Sequence, residues 1–191
     1  MELSKHNLEL FTNFFLGNTE ELDKKDDDFK NLFLTFASDN NSSTIRELVT
    51  LYYLGYDSFS QKHGADGIDK STGRLKEVKP RYLSTGSKLS GSGNFNDMTL
   101  ELLEKKKNFD IICSLFYETK LVYIIEFPLS EIYEKLKEPI VNAKLGKRVV
   151  CHFGYNDYKN ADLKIHYLNE ELISVCLSKG HIELLESKKT K

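Results

Sequence analysis

Three residues of this 191-residue chain, Asp66, Glu77 and Lys79, have the types and spacing that catalysis on a phosphodiester would need. They lie in Gly64-Ala65-Asp66-Gly67-Ile68-Asp69, the turn Lys70-Ser71-Thr72-Gly73, and Arg74-Leu75-Lys76-Glu77-Val78-Lys79-Pro80, which together read as a hairpin. With Lys70 to Gly73 as a four-residue loop, Asp69 faces Arg74 as an opposite-charge cross-strand pair, and the same register sets Asp66 opposite Glu77. Strand period two keeps Glu77 and Lys79 on one face and turns Val78 to the other; Asp69 also falls there, so the geometry selects Asp66 over Asp69. Two adjacent carboxylates repel, and a hard divalent cation with oxygen ligands relieves the repulsion. Mg²⁺ held by Asp66, Glu77 and the Val78 backbone carbonyl keeps several waters, leaving positions for a phosphate oxygen and an attacking hydroxide. Lys79 would orient that water and meet the negative charge that develops on phosphate.

These residues resemble the PD-(D/E)xK nuclease superfamily, in particular type II restriction endonucleases. Asp66 matches the first acid and Glu77-Val78-Lys79 the E-x-K, while Ala65 stands where the family has proline. The resemblance covers roughly residues 44 to 153. It implies a metal-dependent phosphodiesterase with a mixed sheet flanked by helices, which hydrolyses DNA to 5′-phosphate and 3′-hydroxyl ends and works as a homodimer on a two-fold site. It also implies a further metal-site acid on the helix before the hairpin, where Glu47 stands. Glu47 has a second reading, as the acid of a capping box begun by Thr44. One departure from the family pattern concerns the E-x-K strand, which is followed by a loop and a helix rather than directly by another strand.

The elements that must position this centre follow from periodicity. Leu8, Phe11, Phe14 and Phe15, and again Phe29, Leu32, Phe33 and Phe36, recur at helical spacing, giving two amphipathic helices in an N-terminal segment over 1–43. A helix from Thr44 to Leu54 ends at Gly55. After the hairpin come a Gly/Ser loop over Ser84 to Asn94 and a helix from Asp97 to Lys107 with Leu100, Leu102 and Leu103 inward. Asp110–Tyr117 and Leu121–Phe127 read as buried strands, Ser130–Lys137 as a helix, and Arg148–Phe153, Leu163–Tyr167 and Leu172–Leu177 as strands. The expected architecture is one α/β domain with a mixed central sheet flanked by helices, residues 44–155 forming the catalytic core and 156–191 the C-terminal elements.

The net charge of −2 argues against a polycation that coats nucleic acid, but the charge is uneven. Residues 1 to 30 carry four Lys against eight acids, whereas residues 70 to 107 carry nine Lys or Arg against four. That basic segment holds the motif. Arg81, Tyr82, Lys88, Asn94 and Asn96 leave directly from the catalytic strand and are the expected contacts to double-stranded DNA. Asp97 has competing readings as a base-edge contact and a helix N-cap, and Lys105-Lys106-Lys107 reads equally as a solvated helix end. His63, His152, His166 and His181 lack a nucleophile or ligand partner at motif spacing, and there is no Walker A loop, so no nucleotide cofactor is expected. Cys113, Cys151 and Cys176 read as buried thiols. No apolar stretch approaches the roughly 20 residues of a membrane span and the first residues lack a secretory pattern, so the expected location is the cytoplasm. Two alternatives stay open: a structure-selective or repair nuclease of the same superfamily, and a non-catalytic DNA-binding module.

Overall fold

The computed structural model describes residues 3–39, 43–59, 64–84, 92–143 and 147–189. Its centre is a six-stranded mixed sheet in the order β1-β2-β3-β5-β6-β8. The strands are β1 (Asp57–Ser58), β2 (Gly67–Asp69), β3 (Arg74–Leu83), β5 (Asp110–Tyr117), β6 (Lys120–Pro128) and β8 (Lys164–Leu168). β3 and β5 run parallel, and every other neighbouring pair is antiparallel. That parallel pair explains why a loop and a helix, and not a turn, follow β3. Parallel neighbours cannot be joined by a tight turn, so the chain crosses over through β4 (Gly93–Met98) and α5 (Leu100–Lys106) before entering β5. β4 pairs with β7 (Val149–Phe153) in a separate two-stranded sheet.

Both faces of the central sheet are covered, which is why β5 and β6 read as near-continuous apolar runs. Helices α1 (Lys5–Phe15), α3 (Asp27–Ser38) and α4 (Ser43–Tyr53) lie on one face, with the short α2 (Glu20–Asp23) between α1 and α3. Phe11, Phe15, Phe33 and Val49 pack there against Val78, Ile112, Phe116 and Ile124. Phe11 stacks on Phe33 at 4.0 Å, so the opening helices supply core. Ser4 and Asp26 start α1 and α3 by accepting from the Asn7 and Phe29 amides. The other face is covered by the β4–β7 ribbon with α5, α6 (Tyr133–Asn142), α7 (Tyr155–Tyr158), α8 (Glu170–Cys176) and α9 (Lys179–Lys189). Phe95, Leu103, Leu136, Tyr158 and Leu185 meet Ile111, Cys113, Leu115 and Tyr123 there. All three cysteines are free and buried. Among the described residues, no helix is long and apolar enough to cross a membrane.

Five local expectations are corrected. Residues 93–98 form β4, and α5 begins only after Thr99, whose hydroxyl accepts from the Leu102 amide; Asp97 is not the N-cap but lies in β4 with φ 54°. Of the three leucines expected inward on α5, Leu103 is buried and Leu100 and Leu102 are exposed. Of the strand expected over Leu172–Leu177, residues 172–176 fall in helix α8 and Leu177 is its C-cap, because the Asn169 side chain caps the Leu172 amide and Glu170 and Glu171 occupy the favoured first turn. Thr44 starts no capping box: α4 already includes Ser43, and Glu47 hydrogen-bonds the Ser43 side chain one turn back. The helix expected over Ser130–Lys137 is split into a 3₁₀ turn, Leu129–Ile132, followed by α6.

Candidate active site

The hairpin pairs in the expected register from the turn as far as Gly67. Asp69 pairs with Arg74, Ile68 with Leu75 and Gly67 with Lys76. One residue further the pairing departs from that register: the Asp66 amide donates to the Lys76 carbonyl at 2.9 Å, so Asp66 and Gly67 both stand against Lys76. Gly67 is required here: a Cβ would lie 2.5 Å from the Asp57 carbonyl oxygen and 2.8 Å from the Leu51 side chain. Glycine lets α4 and β1 close against the hairpin and hold Asp66 in place. The turn is held by Asp69, which accepts from the Ser71 amide and hydroxyl and from the Thr72 hydroxyl. Those bonds draw its carboxyl down to about 2. The expected side-chain pair between Asp69 and Arg74 does not form, because Arg74 reaches to Asp110 on the neighbouring β5 instead.

β2 ends opposite Lys76, so beyond that point no described strand pairs the outer edge of β3. The Val78 amide on this edge donates to Asp66 Oδ2 at 2.7 Å. Because the N–H and C=O of one extended residue point to the same side, the Val78 carbonyl faces the same edge. The Val78 side chain is in the core, whereas Glu77 and Lys79 turn to the opposite face, where Lys79 Nζ lies 4.3 Å from the centroid of Phe95 on β4.

Both oxygens of Glu77 carry an ammonium. Lys79 Nζ is 2.6 Å from Oε1 and Lys106 Nζ, from α5, is 2.5 Å from Oε2. Burial raises the Glu77 pKa, but the two lysines outweigh it and hold the carboxyl below its usual value. Asp66 behaves oppositely. Burial first, and the neighbouring Glu77 charge second, push it up to about 6 against the Val78 amide and Lys79. Burial also raises Glu47, which feels Lys79 and Glu77. Asp66, Glu77, Glu47 and Lys79 thus share one electrostatic environment. Among the described residues, no group of three or more His, Cys, Asp or Glu is gathered so that it could hold a metal ion. Any hard cation would therefore rest on the Asp66 and Glu77 pair, backbone oxygen and water, with Glu47 further out. In comparisons with known proteins, no family model and no curated sequence matches this chain.

The residues expected to grip DNA divide. Arg81 shares the face of Glu77 and Lys79, and its Nε donates to the Ser92 carbonyl at 3.0 Å. Tyr82 turns the other way, beneath the Arg46 guanidinium at 4.8 Å, so it belongs to the α4 side. Asn94 sits in β4 with Oδ1 2.7 Å from His152 Nδ1, and Asn96 is exposed on the same strand. Lys88 and His63 lie outside the described residues, as does most of the Gly/Ser loop.

Two features escaped sequence reasoning. Lys106 stands three residues after the buried Leu103, hence on the same helix face, and that spacing was a usable signal. The second is a buried charge cluster on the α-helical side of β3. Lys76, 1% exposed, donates to Asp110 at 2.8 Å and to Glu126 at 2.9 Å. Glu126 also binds the Tyr56 hydroxyl and His166 Nε2, each at 3.0 Å. Burial raises the Glu126 pKa, but the hydrogen bonds from His166 and Lys76 outweigh it and hold the carboxyl at about 2.

Proposed function

We propose that this protein is a Mg²⁺-dependent endonuclease that hydrolyses DNA phosphodiester bonds to 5′-phosphate and 3′-hydroxyl ends. The reading extends to a restriction-endonuclease-like fold and a homodimer cutting a two-fold DNA site as a type II restriction enzyme. The observation that carries it is the clustering of Asp66, whose Oδ2 accepts from the Val78 amide and whose pKa feels the Glu77 charge, with Glu77 and the Lys79 paired to it. The donor set fits a hard cation. Asp66 is acidic and partly buried, its Oδ1 receives no hydrogen bond from a described residue, and the Val78 carbonyl lies on the same edge.

In this reading Asp66, Glu77 and the Val78 carbonyl hold Mg²⁺, which when bound supplies a lowered water pKa and a positive charge beside the phosphate. Asp66 must be ionised to serve, so the burial that raises its pKa makes metal binding weaken as the pH falls. The Lys79 ammonium, held by Glu77 and by the face of Phe95, orients the attacking water and meets charge developing on the phosphate oxygens. Arg81 on the same face positions the DNA backbone by contacting a phosphate.

The test is a digestion of mixed plasmid DNA with Mg²⁺ against an EDTA control. Discrete bands support the restriction enzyme, and sequence-independent nicking moves the assignment to a structure-selective or repair nuclease with the same chemistry. DNA binding without any cutting would leave a non-catalytic DNA-binding module and contradict the proposal.

A further inference from the structure

Glu77 is matched by more positive charge than it needs, and the second cation arrives from a different element. Lys79, two residues along the same strand, already pairs with Oε1. Lys106 at the end of α5 takes the remaining oxygen, Oε2, although a metal bridging Asp66 and Glu77 would need an oxygen of this carboxylate. The contact is shielded, with the Lys106 side chain 15% exposed and that of Glu77 9% exposed. Asp66, beside it, receives only the Val78 amide. The lysines are therefore concentrated on one of the two acids.

Lys106 also has partners that do not depend on Glu77. Its ammonium donates to the Gly64 carbonyl at 2.8 Å and lies 5.1 Å from the Phe109 ring centroid. These contacts tether it beside Gly64, two residues before Asp66, so losing Glu77 would not release it into solvent. We propose that Lys106 is a tethered competitor of the metal: it occupies Glu77 in the metal-free protein, holds metal affinity down, and passes to a phosphate oxygen when DNA and metal arrive together. This rests on the metal-dependent reading above.

A lysine that merely pins α5 to the hairpin makes the opposite forecast, since its loss would loosen the site and weaken metal binding. Ca²⁺, which can take the place of Mg²⁺ on oxygen ligands, is the probe, titrated calorimetrically without DNA into the full chain and into Lys106→Gln, Lys106→Met and Lys106→Arg. Removing a like charge from the metal's first neighbours should tighten Ca²⁺ binding at least about tenfold in the Gln and Met variants. The Arg variant keeps the charge and should bind as weakly as the parent. A short DNA duplex should tighten Ca²⁺ binding more in the parent than in the Gln variant, because only the parent has the Lys106 ammonium to draw away from Glu77.

Folded Gln and Met variants with unchanged or weaker Ca²⁺ affinity overturn the competitor role while leaving the metal site standing. Absence of Ca²⁺ binding in all four chains defeats the metal site itself and the inference with it. If the neutral substitutions prevent folding, the ¹⁵N signal of the Lys106 ammonium in the parent decides. It should move as Ca²⁺ takes Glu77, and a signal that stays fixed through saturation overturns the proposal.

Discussion

Replacing Asp66 by asparagine should make the metal-free protein more stable. Its carboxyl is pushed from the usual 3.8 to about 6 by burial and then by Glu77, so ionising it opposes the fold. One pH unit of such displacement corresponds to about 1.4 kcal/mol, giving an upper bound of about 3 kcal/mol. Asp66 is partly accessible, and solvent screening reduces this to about 1–2 kcal/mol. The sign follows from the raised folded value. Above about pH 6 the carboxylate is charged in both states and the penalty is fully present; below the unfolded value of 3.8 it is protonated in both and the penalty is gone. Asparagine has the same shape, keeps an acceptor for the Val78 amide and removes the charge beside Glu77. Unfolding in EDTA over a pH series should give Asp66→Asn an advantage of about 1–2 kcal/mol at pH 8, or roughly 2–8 °C in Tm for a chain of this size. The advantage should shrink to nothing near pH 4, and the variant should not cleave DNA. A variant less stable than the parent at pH 8, or an advantage independent of pH, would refute the reasoning.

Lys76→Met should destabilise by about 2–4 kcal/mol in urea unfolding at neutral pH, because it strips a shared cation from buried Asp110 and Glu126, although Arg74, Tyr56 and His166 remain. The folded Glu126 value is depressed, so the deficit should be full above about 4.5 and fade as pH falls toward about 2; a loss under about 1 kcal/mol would mean that the remaining partners suffice. Arg81→Ala should weaken DNA binding and reduce the slope of log affinity against log salt by about one, measured by fluorescence anisotropy in Ca²⁺. An unchanged slope would put the backbone path elsewhere.

The parts of the molecule legible in the sequence are those governed by short-range rules. Turn length set the hairpin register from Asp69–Arg74 to Gly67–Lys76. The uninterrupted apolar runs of β5 and β6 marked strands covered on both faces. What stayed hidden depends on long-range partners. That β5 lies parallel to β3 follows from sheet assembly, and only then does the intervening β4–α5 segment make sense as a crossover. Residues Ile173 to Leu177 favour a strand by type, yet the Asn169 cap wins locally. Arg74 has a good partner across the hairpin in Asp69 and a better placed one in Asp110, thirty-six positions away, which no local pattern reveals. Lys106 looked like one of three solvated lysines. Lys105 does pair with exposed Glu101, and only the packing of Leu103 turns Lys106 inward to Glu77.

The central claim, that Lys79 acts on the water and phosphate at a metal held by Asp66 and Glu77, is tested most directly by single-turnover cleavage of plasmid DNA in Mg²⁺ by Lys79→Ala. The account predicts a folded protein that keeps Ca²⁺ binding and DNA affinity but loses at least about a hundredfold in cleavage rate. It further predicts that arginine at this position gives no rescue, since a planar fork does not replace a compact ammonium. A Lys79→Ala protein that cuts at the parental rate would contradict it.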